Sequence, residues 1–269
     1  MHISDITIYP IKGCQGQILQ QVTVTPMGLQ GDREFTVLAG GRSANQKLLP
    51  DLRQLQATWQ DQVLLLAYPG LADFAFVPGS GEEETTLPIF GQPVAVLDMG
   101  NAVATWLSQA LQSQVRLVRA KAAIAWHLPL PEFARVIGQP QTKFVDTSPV
   151  LLTSQASLDD LNQRLASPVP MNRFRPNLVV TGLPAYAEDQ VQRFDFPGLI
   201  LETVAPCERC TVTTIDQALG TMGKEPLRTL SGYRRRTPDY AGGIVFGSYL
   251  SASVAGQVAV GDSFSAATG

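Results

Sequence analysis

The sequence predicts a mainly β protein with a few helices, an α+β chain assembled from β-barrel pieces. Three observations predict it. Short segments dense in Val, Ile and Thr recur along the chain, bounded by Gly, Pro and Asn. Only two or three segments carry helical periodicity. Strands do not alternate with helices in the rhythm a doubly wound parallel sheet requires. At 269 residues, 45% hydrophobic and 16% charged, the chain has material for a sizeable core. No apolar run approaches the roughly 18 residues of a membrane helix, and the N-terminus lacks the pattern of a secretory signal. A net charge of -3 argues against holding nucleic acid by bulk charge. Three cysteines suit a reducing compartment better than a disulfide framework. The expectation is a soluble, cytoplasmic protein with neither a membrane nor a nucleic-acid partner.

The elements follow in order. His2–Ile11, Ile18–Thr25 and Glu34–Leu38 read as strands, the last running into Gly40-Gly41. Leu55–Gln60 and Val63–Tyr68 flank Asp61-Gln62 as a hairpin. Pro78–Glu84 reads as a solvated acidic loop, and strand signal resumes at Gln92–Leu97. Asn101–Gln112 places Val103, Leu107, Ala110 and Leu111 on one helical face, with Trp106 beside them and Asn101 as N-cap. Val115–Val118 is a short strand. Ala120–Gln141, with Pro129, Pro131 and Pro140, reads as a boundary or wrapping connection. Ser157-Leu158-Asp159-Asp160 has the spacing of a capping box opening a helix through Leu161 and Leu165. Leu178–Thr181, Leu199–Val204 and Thr211–Ile215 are strand-like, Glu225–Tyr233 is a short helix, and Ile244–Leu250 and Gln257–Val260 close the chain as strands.

The candidate chemistry centres on Cys207-Glu208-Arg209-Cys210. A zinc site would need a matching pair, and only Cys14, His2 and His127 remain to supply it. A thioredoxin-like pair should open a helix, whereas five β-branched residues follow. Two inert buried cysteines are the plain alternative. Arg209 between them tilts the balance, because an adjacent guanidinium favours the thiolate that binds metals. Elsewhere, Asn172-Arg173-Phe174-Arg175-Pro176-Asn177 sets two guanidiniums before an apolar strand. Lys12 and Asp32-Arg33 lie at Gly-containing bends where backbone amides could meet an anion. Only five of the 20 basic residues are Lys, and Arg is the residue suited to bidentate anion recognition.

Taken together, an ordered set of motifs resembles one family. It comprises Ile8-Tyr9-Pro10-Ile11-Lys12-Gly13-Cys14, Gly31-Asp32-Arg33, Asp146-Thr147-Ser148-Pro149, Phe174-Arg175-Pro176-Asn177, Pro206-Cys207-Glu208-Arg209-Cys210, Thr213-Thr214-Ile215-Asp216 and Phe246-Gly247-Ser248-Tyr249. The chain is similar to MOSC proteins of the amidoxime reducing component branch over nearly its whole length. The resemblance implies an N-terminal MOSC β-barrel domain over 1–118 and a MOSC domain over 119–269. It implies a molybdenum cofactor of molybdopterin type whose protein metal ligand is Cys210. Lys12, Arg33, Thr147, Ser148, Arg175, Asn177, Arg209 and Tyr249 match the family's cofactor contacts. Gly13 and Glu208 stand where a relative has Ser.

The function so implied is an oxidoreductase that reduces N-hydroxylated compounds by oxygen-atom transfer to molybdenum, with Cys210, Arg209 and Tyr249 as catalytic residues. An iron–sulfur cluster typically takes four cysteine ligands, and the chain has three cysteines, so electrons are expected from a separate electron-transfer protein. The alternative is a sulfur or cofactor carrier holding a persulfide on Cys207 or Cys210.

Overall fold

The computed structural model describes residues 1–79, 83–89, 92–125, 141–236 and 243–268. His127 and most of the Ala120–Gln141 connection lie outside the described residues. The fold is mainly β, with sheets curled into half-barrels. Eight strands form the largest sheet, in the order Gln17–Leu19, His2–Ile8, Leu178–Thr181, Val150–Ser154, Val245–Val254, Leu199–Glu208, Val191–Phe196 and Ser265–Thr268. Its neighbours run antiparallel except Val150–Ser154 and Leu178–Thr181, which are parallel and in register from Leu152↔Leu178 to Ser154↔Val180. Parallel strands need a crossover, and a helix, Gln155–Arg164, supplies it.

The halves of the chain share sheets. His2–Ile8 pairs with Leu178–Thr181, and Gly256–Ala259 pairs with Gln21–Thr25. A second sheet of five strands runs Glu83–Ile89, Gln92–Asp98, Val115–Ala120, Phe35–Ala39 and Arg42–Ser43. A hairpin of Gln56–Gln60 and Val63–Ala67 turns at Asp61, whose φ of 53° is the left-handed conformation such turns favour. Ile6 and Ile8 alternate onto one face, and an irregularity between Ile3 and Asp5 brings Ile3 to the same face, where all three join Leu152, Leu178, Val180 and Leu250 in one core. A separate core packs Phe35, Val37, Leu64 and Leu66 against Val103 and Leu107 of the helix Asn101–Ala110.

Several expectations are corrected. The N-cap position of Asn101–Ala110 is Gly100, whose N–H donates to Asp98 Oδ1 at 2.8 Å. Gln155–Arg164 begins two residues before Ser157, so Ser157 is no cap; its hydroxyl donates to Glu188 at 2.6 Å. Glu83 and Glu84 begin a strand instead of ending a loop. Thr211–Thr214 is a 3₁₀ turn, not a strand. Val191–Phe196 and Ser265–Thr268 are strands that were not anticipated.

One glycine aims the site. Gly247 sits in the strand Val245–Val254 at φ +82°, and a Cβ there would lie 2.7 Å from the Leu152 carbonyl oxygen and 2.8 Å from Thr153 Cγ2. Both the conformation and the space demand glycine. Gly247→Ala is expected to lose roughly 1–3 kcal/mol of stability, read by urea unfolding; an unchanged midpoint would contradict this packing.

Candidate functional site

The site forms where loops from both halves of the chain meet a strand. The first-half bends carry Lys12 and Arg33, the 143–148 segment carries Thr147 and Ser148, the turn after Met171–Arg173 carries Arg175 and Asn177, and the end of Leu199–Glu208 carries Arg209 and Cys210. Tyr249 comes from Val245–Val254. All nine residues expected from the sequence line one cavity. They span more than 230 positions of chain (Lys12 to Tyr249) yet converge.

Tyr9 organises two of the arginines. The Arg33 guanidinium lies 4.2 Å and that of Arg175 4.1 Å from its ring centroid, the geometry of cation–π contact. Both arginines take left-handed backbone, at φ 42° and 54°, a conformation that costs a non-glycine residue energy and concentrates at functional sites. Asp32 explains how this is held. Its carboxylate accepts the Tyr9 N–H at 2.7 Å and an Arg33 N–H at 2.5 Å. Arg33 also donates to the Arg175 carbonyl at 3.3 Å, and Arg175 to the Cys14 carbonyl at 2.8 Å. Arg175 has no carboxylate partner among the described residues. Burial first, with Arg33 as a like-charged neighbour, pushes its pKa down. A guanidinium so placed invites an anion.

The 143–148 segment is tied to the first half by two ion pairs, Lys12 with Asp146 and Lys143 with Glu34, and by the Phe144 N–H donating to the Arg33 carbonyl at 3.0 Å. Arg119 donates to the same Glu34 at 2.9 Å. Burial pushes the Glu34 carboxyl up, but Lys143 and Arg119 outweigh it and the group ends below its usual range. A depressed folded pKa stabilises the fold above the unfolded value of about 4.3, and that contribution is lost as pH falls through the folded pKa. Glu34→Gln is expected to lose about 1–2 kcal/mol near neutral pH, and progressively less as pH falls through the folded pKa of the carboxyl. Urea unfolding across an acid pH series checks this, and a loss that does not shrink with acid would contradict it.

The cysteine pair divides its labour. Cys207 is buried and Cys210 exposed. Arg209 donates to the Cys207 sulfur at 2.7 Å and to the Phe174 carbonyl at 2.6 Å. The Tyr249 hydroxyl is hydrogen-bonded to the same sulfur and to Thr147. The guanidinium expected to favour a thiolate at the metal ligand therefore contacts the other cysteine. Burial still pushes the Cys207 thiol up, with Arg209 and Tyr249 opposing. Tyr249 is raised well above its ordinary value, first by burial and then by Cys207, so its phenol stays neutral.

Two expected residues are heavily engaged with the backbone. Ser148 donates to the Leu250 carbonyl at 2.8 Å, and Asn177 accepts the Leu151 N–H at 3.1 Å while donating to the Thr7 carbonyl at 3.1 Å. Sequence reasoning missed Gln46 and Asn45 on the cavity wall, and noted Arg173 as one of two guanidiniums in its motif without placing it in the site. Arg173 pairs with Asp216 at 2.7 Å, a partnership across 43 positions that no local motif announces. The Nε atoms of Arg173 and Arg209 are buried without a partner among the described residues.

Mainly β half-barrels meeting at a cavity of convergent arginines and an exposed cysteine define the class. The chain belongs to the MOSC family: residues 1–114 match the MOSC N-terminal beta barrel domain and residues 139–265 the MOSC domain. Among its relatives, it is 32% identical to mitochondrial amidoxime reducing component 2 of Bos taurus, over 97% of this chain and 81% of that one. It is likewise 32% identical to mitochondrial amidoxime-reducing component 1 of Homo sapiens, over 97% and 81%. A molybdenum cofactor sulfurase of Oryza sativa subsp. japonica is 31% identical over 93% of this chain but only 32% of its own length. The cytoplasmic expectation is corrected here, because relatives covering most of the chain carry a mitochondrial name. Among the described residues, no helix is long and apolar enough to cross a membrane.

Proposed function

We propose that the chain is a molybdenum-cofactor-dependent oxidoreductase that reduces N-hydroxylated compounds. The observation that carries the reading is one cavity holding an exposed cysteine and five basic residues, of which Arg175 and Arg209 lack a carboxylate partner among the described residues. Among the described residues no group of three His, Cys, Asp or Glu side chains could hold a bare metal ion. One soft thiolate beside unpaired guanidiniums suits a metal delivered by an anionic organic cofactor. The partnerless Nε atoms of Arg173 and Arg209 are further donors available to such a group.

When bound, the cofactor supplies the two-electron chemistry and oxygen-atom transfer. The chain does the rest. Residues 1–118, as an N-terminal barrel domain, contribute Lys12 and Arg33; residues 119–269 contribute the thiolate and the other donors. Cys210 ligates the metal. Arg33, Arg175 and Lys12 hold the anionic portion, with Thr147, Ser148 and Asn177 shaping the wall. Arg209 stays cationic: burial works against its charge, but its pKa is not brought below the ordinary arginine value. It therefore acts as a fixed charge and hydrogen-bond donor, while the neutral Tyr249 phenol holds a proton near the reacting atoms. For an amidoxime the balance is two electrons and two protons in, amidine and water out. The electrons come from a separate electron-transfer protein.

The test is anaerobic turnover of benzamidoxime with a reduced viologen, using chain made in a host that synthesises the cofactor. Benzamidine formed in proportion to viologen oxidised, at two electrons each, is expected. Cofactor-loaded protein that oxidises no viologen with any N-hydroxylated compound would overturn the reading.

A further inference from the structure

Ile6 and Ile8 turn into the core, so Asp5 and Thr7, which alternate with them, face the other side of the sheet. Val179 pairs opposite Asp5, and Ile18 opposite Thr7. These four residues floor a second cavity, of about 500 Å³, on the face turned away from that core. Its volume lies in the range of small-molecule sites. Ile18 is 73% exposed, so the floor presents a largely uncovered apolar side chain.

Two guanidiniums stand at one end of this cavity. Arg175 lies on its wall as well as on that of the first cavity, and donates from Nη1 to the Cys14 carbonyl. The next residue, Gln15, donates its backbone N–H to the Leu55 carbonyl at 2.9 Å, which brings Arg53 to the same bend. Arg53 is fixed there. Its Nη1 donates to the Ala218 carbonyl at 3.0 Å, and its Nε rests on the bare backbone of Gly220, where a Cβ would lie 2.3 Å away. A guanidinium has five N–H donors, and these carbonyls take only some of them. Nη2 of Arg53 and Nη2 of Arg175 make no hydrogen bond in this cavity among the described residues; Asp51, the ion-pair contact of Arg53, stands 3.9 Å off. Asp5 is the only carboxylate on the described wall. Four residues of extended chain set it roughly 13 Å from Tyr9, on whose ring Arg175 stacks.

We propose that this cavity is a second binding site, for a small organic carboxylate. Its head lies between Arg53 and Arg175, whose planar forks match a carboxylate better than a point charge would. Its apolar body runs over Ile18 and against Met171 and Pro176 on the wall. The apolar floor favours an organic acid over an inorganic anion, because burying hydrocarbon adds to the charge pairing. A neutral isostere keeps the floor contact and loses the head.

The experiment titrates the purified full-length chain calorimetrically with 3-phenylpropionate, with its neutral amide 3-phenylpropionamide and with inorganic phosphate. The organic acid is expected to bind about tenfold or more tightly than either of the others. Arg53→Gln and Ile18→Glu should each weaken it about tenfold, the first by removing a charged donor and the second by setting a carboxylate on the floor. Ile18→Glu changes an exposed position, so it leaves intact the contacts that Arg53 makes with Ala218 and Gly220. Neither residue lines the first cavity, so molybdenum and pterin contents of both variants should equal those of wild type. A failure here therefore leaves the reductase reading standing. Four results would overturn the proposal: no binding of 3-phenylpropionate at millimolar concentration, equal binding of acid and amide, phosphate bound as tightly as the organic acid, or wild-type affinity in both variants.

Discussion

Cys210→Ala is expected to lose N-hydroxy reduction to background while the fold stays intact. The residue is exposed, so truncating it opens no cavity in either core. In the proposed enzyme it supplies the sole protein bond to the metal. Retention of the cofactor should be partial, because in the proposed site Lys12, Arg33 and Arg175 would hold its anionic portion without the thiolate. Cys207→Ala is a different case. Its sulfur touches no solvent but accepts hydrogen bonds from Arg209 and Tyr249, two residues of the cavity wall. Loss of such a supporting acceptor typically costs 10–100-fold in activity or metal affinity, so this variant should be impaired and still measurable. The check is turnover and molybdenum content for both variants side by side. Wild-type turnover in Cys210→Ala with background turnover in Cys207→Ala would reverse the ligand assignment.

Arg175→Met is expected to move stability and cofactor binding in opposite directions. Burial lowers the pKa of this guanidinium, Arg33 repels it, and among the described residues no carboxylate forms an ion pair with it, since Asp32, which opposes the shift, is paired with Arg33. Replacing an uncompensated buried charge by an apolar chain of similar reach removes a desolvation cost. The lost hydrogen bond to the Cys14 carbonyl offsets about 1 kcal/mol of that gain. Cofactor-free protein should therefore be as stable as wild type or slightly more so. The cofactor, deprived of a charged donor worth about 1.5–3 kcal/mol, should bind about ten- to a hundredfold more weakly. Thermal unfolding of cofactor-free protein and pterin content after extended dialysis test the two halves. Lower stability with full pterin retention would assign Arg175 a structural role alone.

Lys12, Arg33, Arg175 and Arg209 were legible as basic residues in short motifs at strand ends, whereas Thr147, Ser148 and Tyr249 entered the site only through the family resemblance those motifs carry. The arrangement was less so. The stacking of Arg33 and Arg175 on Tyr9 depends on left-handed backbone at both arginines, which residue type disfavours and only the assembled loops enforce. Thr211–Thr214 misled for a definable reason. Its β-branched residues favour strand, but Thr213 and Thr214 donate their hydroxyls to the carbonyls of Cys210 and Thr211 at 2.9 and 2.8 Å, closing a tight turn. Val191–Phe196 was hidden by Gln192, Arg193 and Asp195, and a register shift after Val191 breaks its alternation. The role of Arg209 was half legible. Its position beside two cysteines was plain, but which sulfur it would meet depended on the extended chain through Cys210.

The proposed function requires a cavity built for a molybdenum cofactor, with Cys210 at its metal. The direct measurement is molybdenum, pterin and sulfane-sulfur analysis of the purified chain from a cofactor-synthesising host, with Cys210→Ala prepared in parallel. One molybdenum and one pterin per wild-type chain are expected, with less metal and residual pterin in the variant and no sulfane sulfur in either. Metal-free, pterin-free wild-type protein carrying sulfane sulfur on Cys207 or Cys210 would contradict that function and make the chain a sulfur carrier.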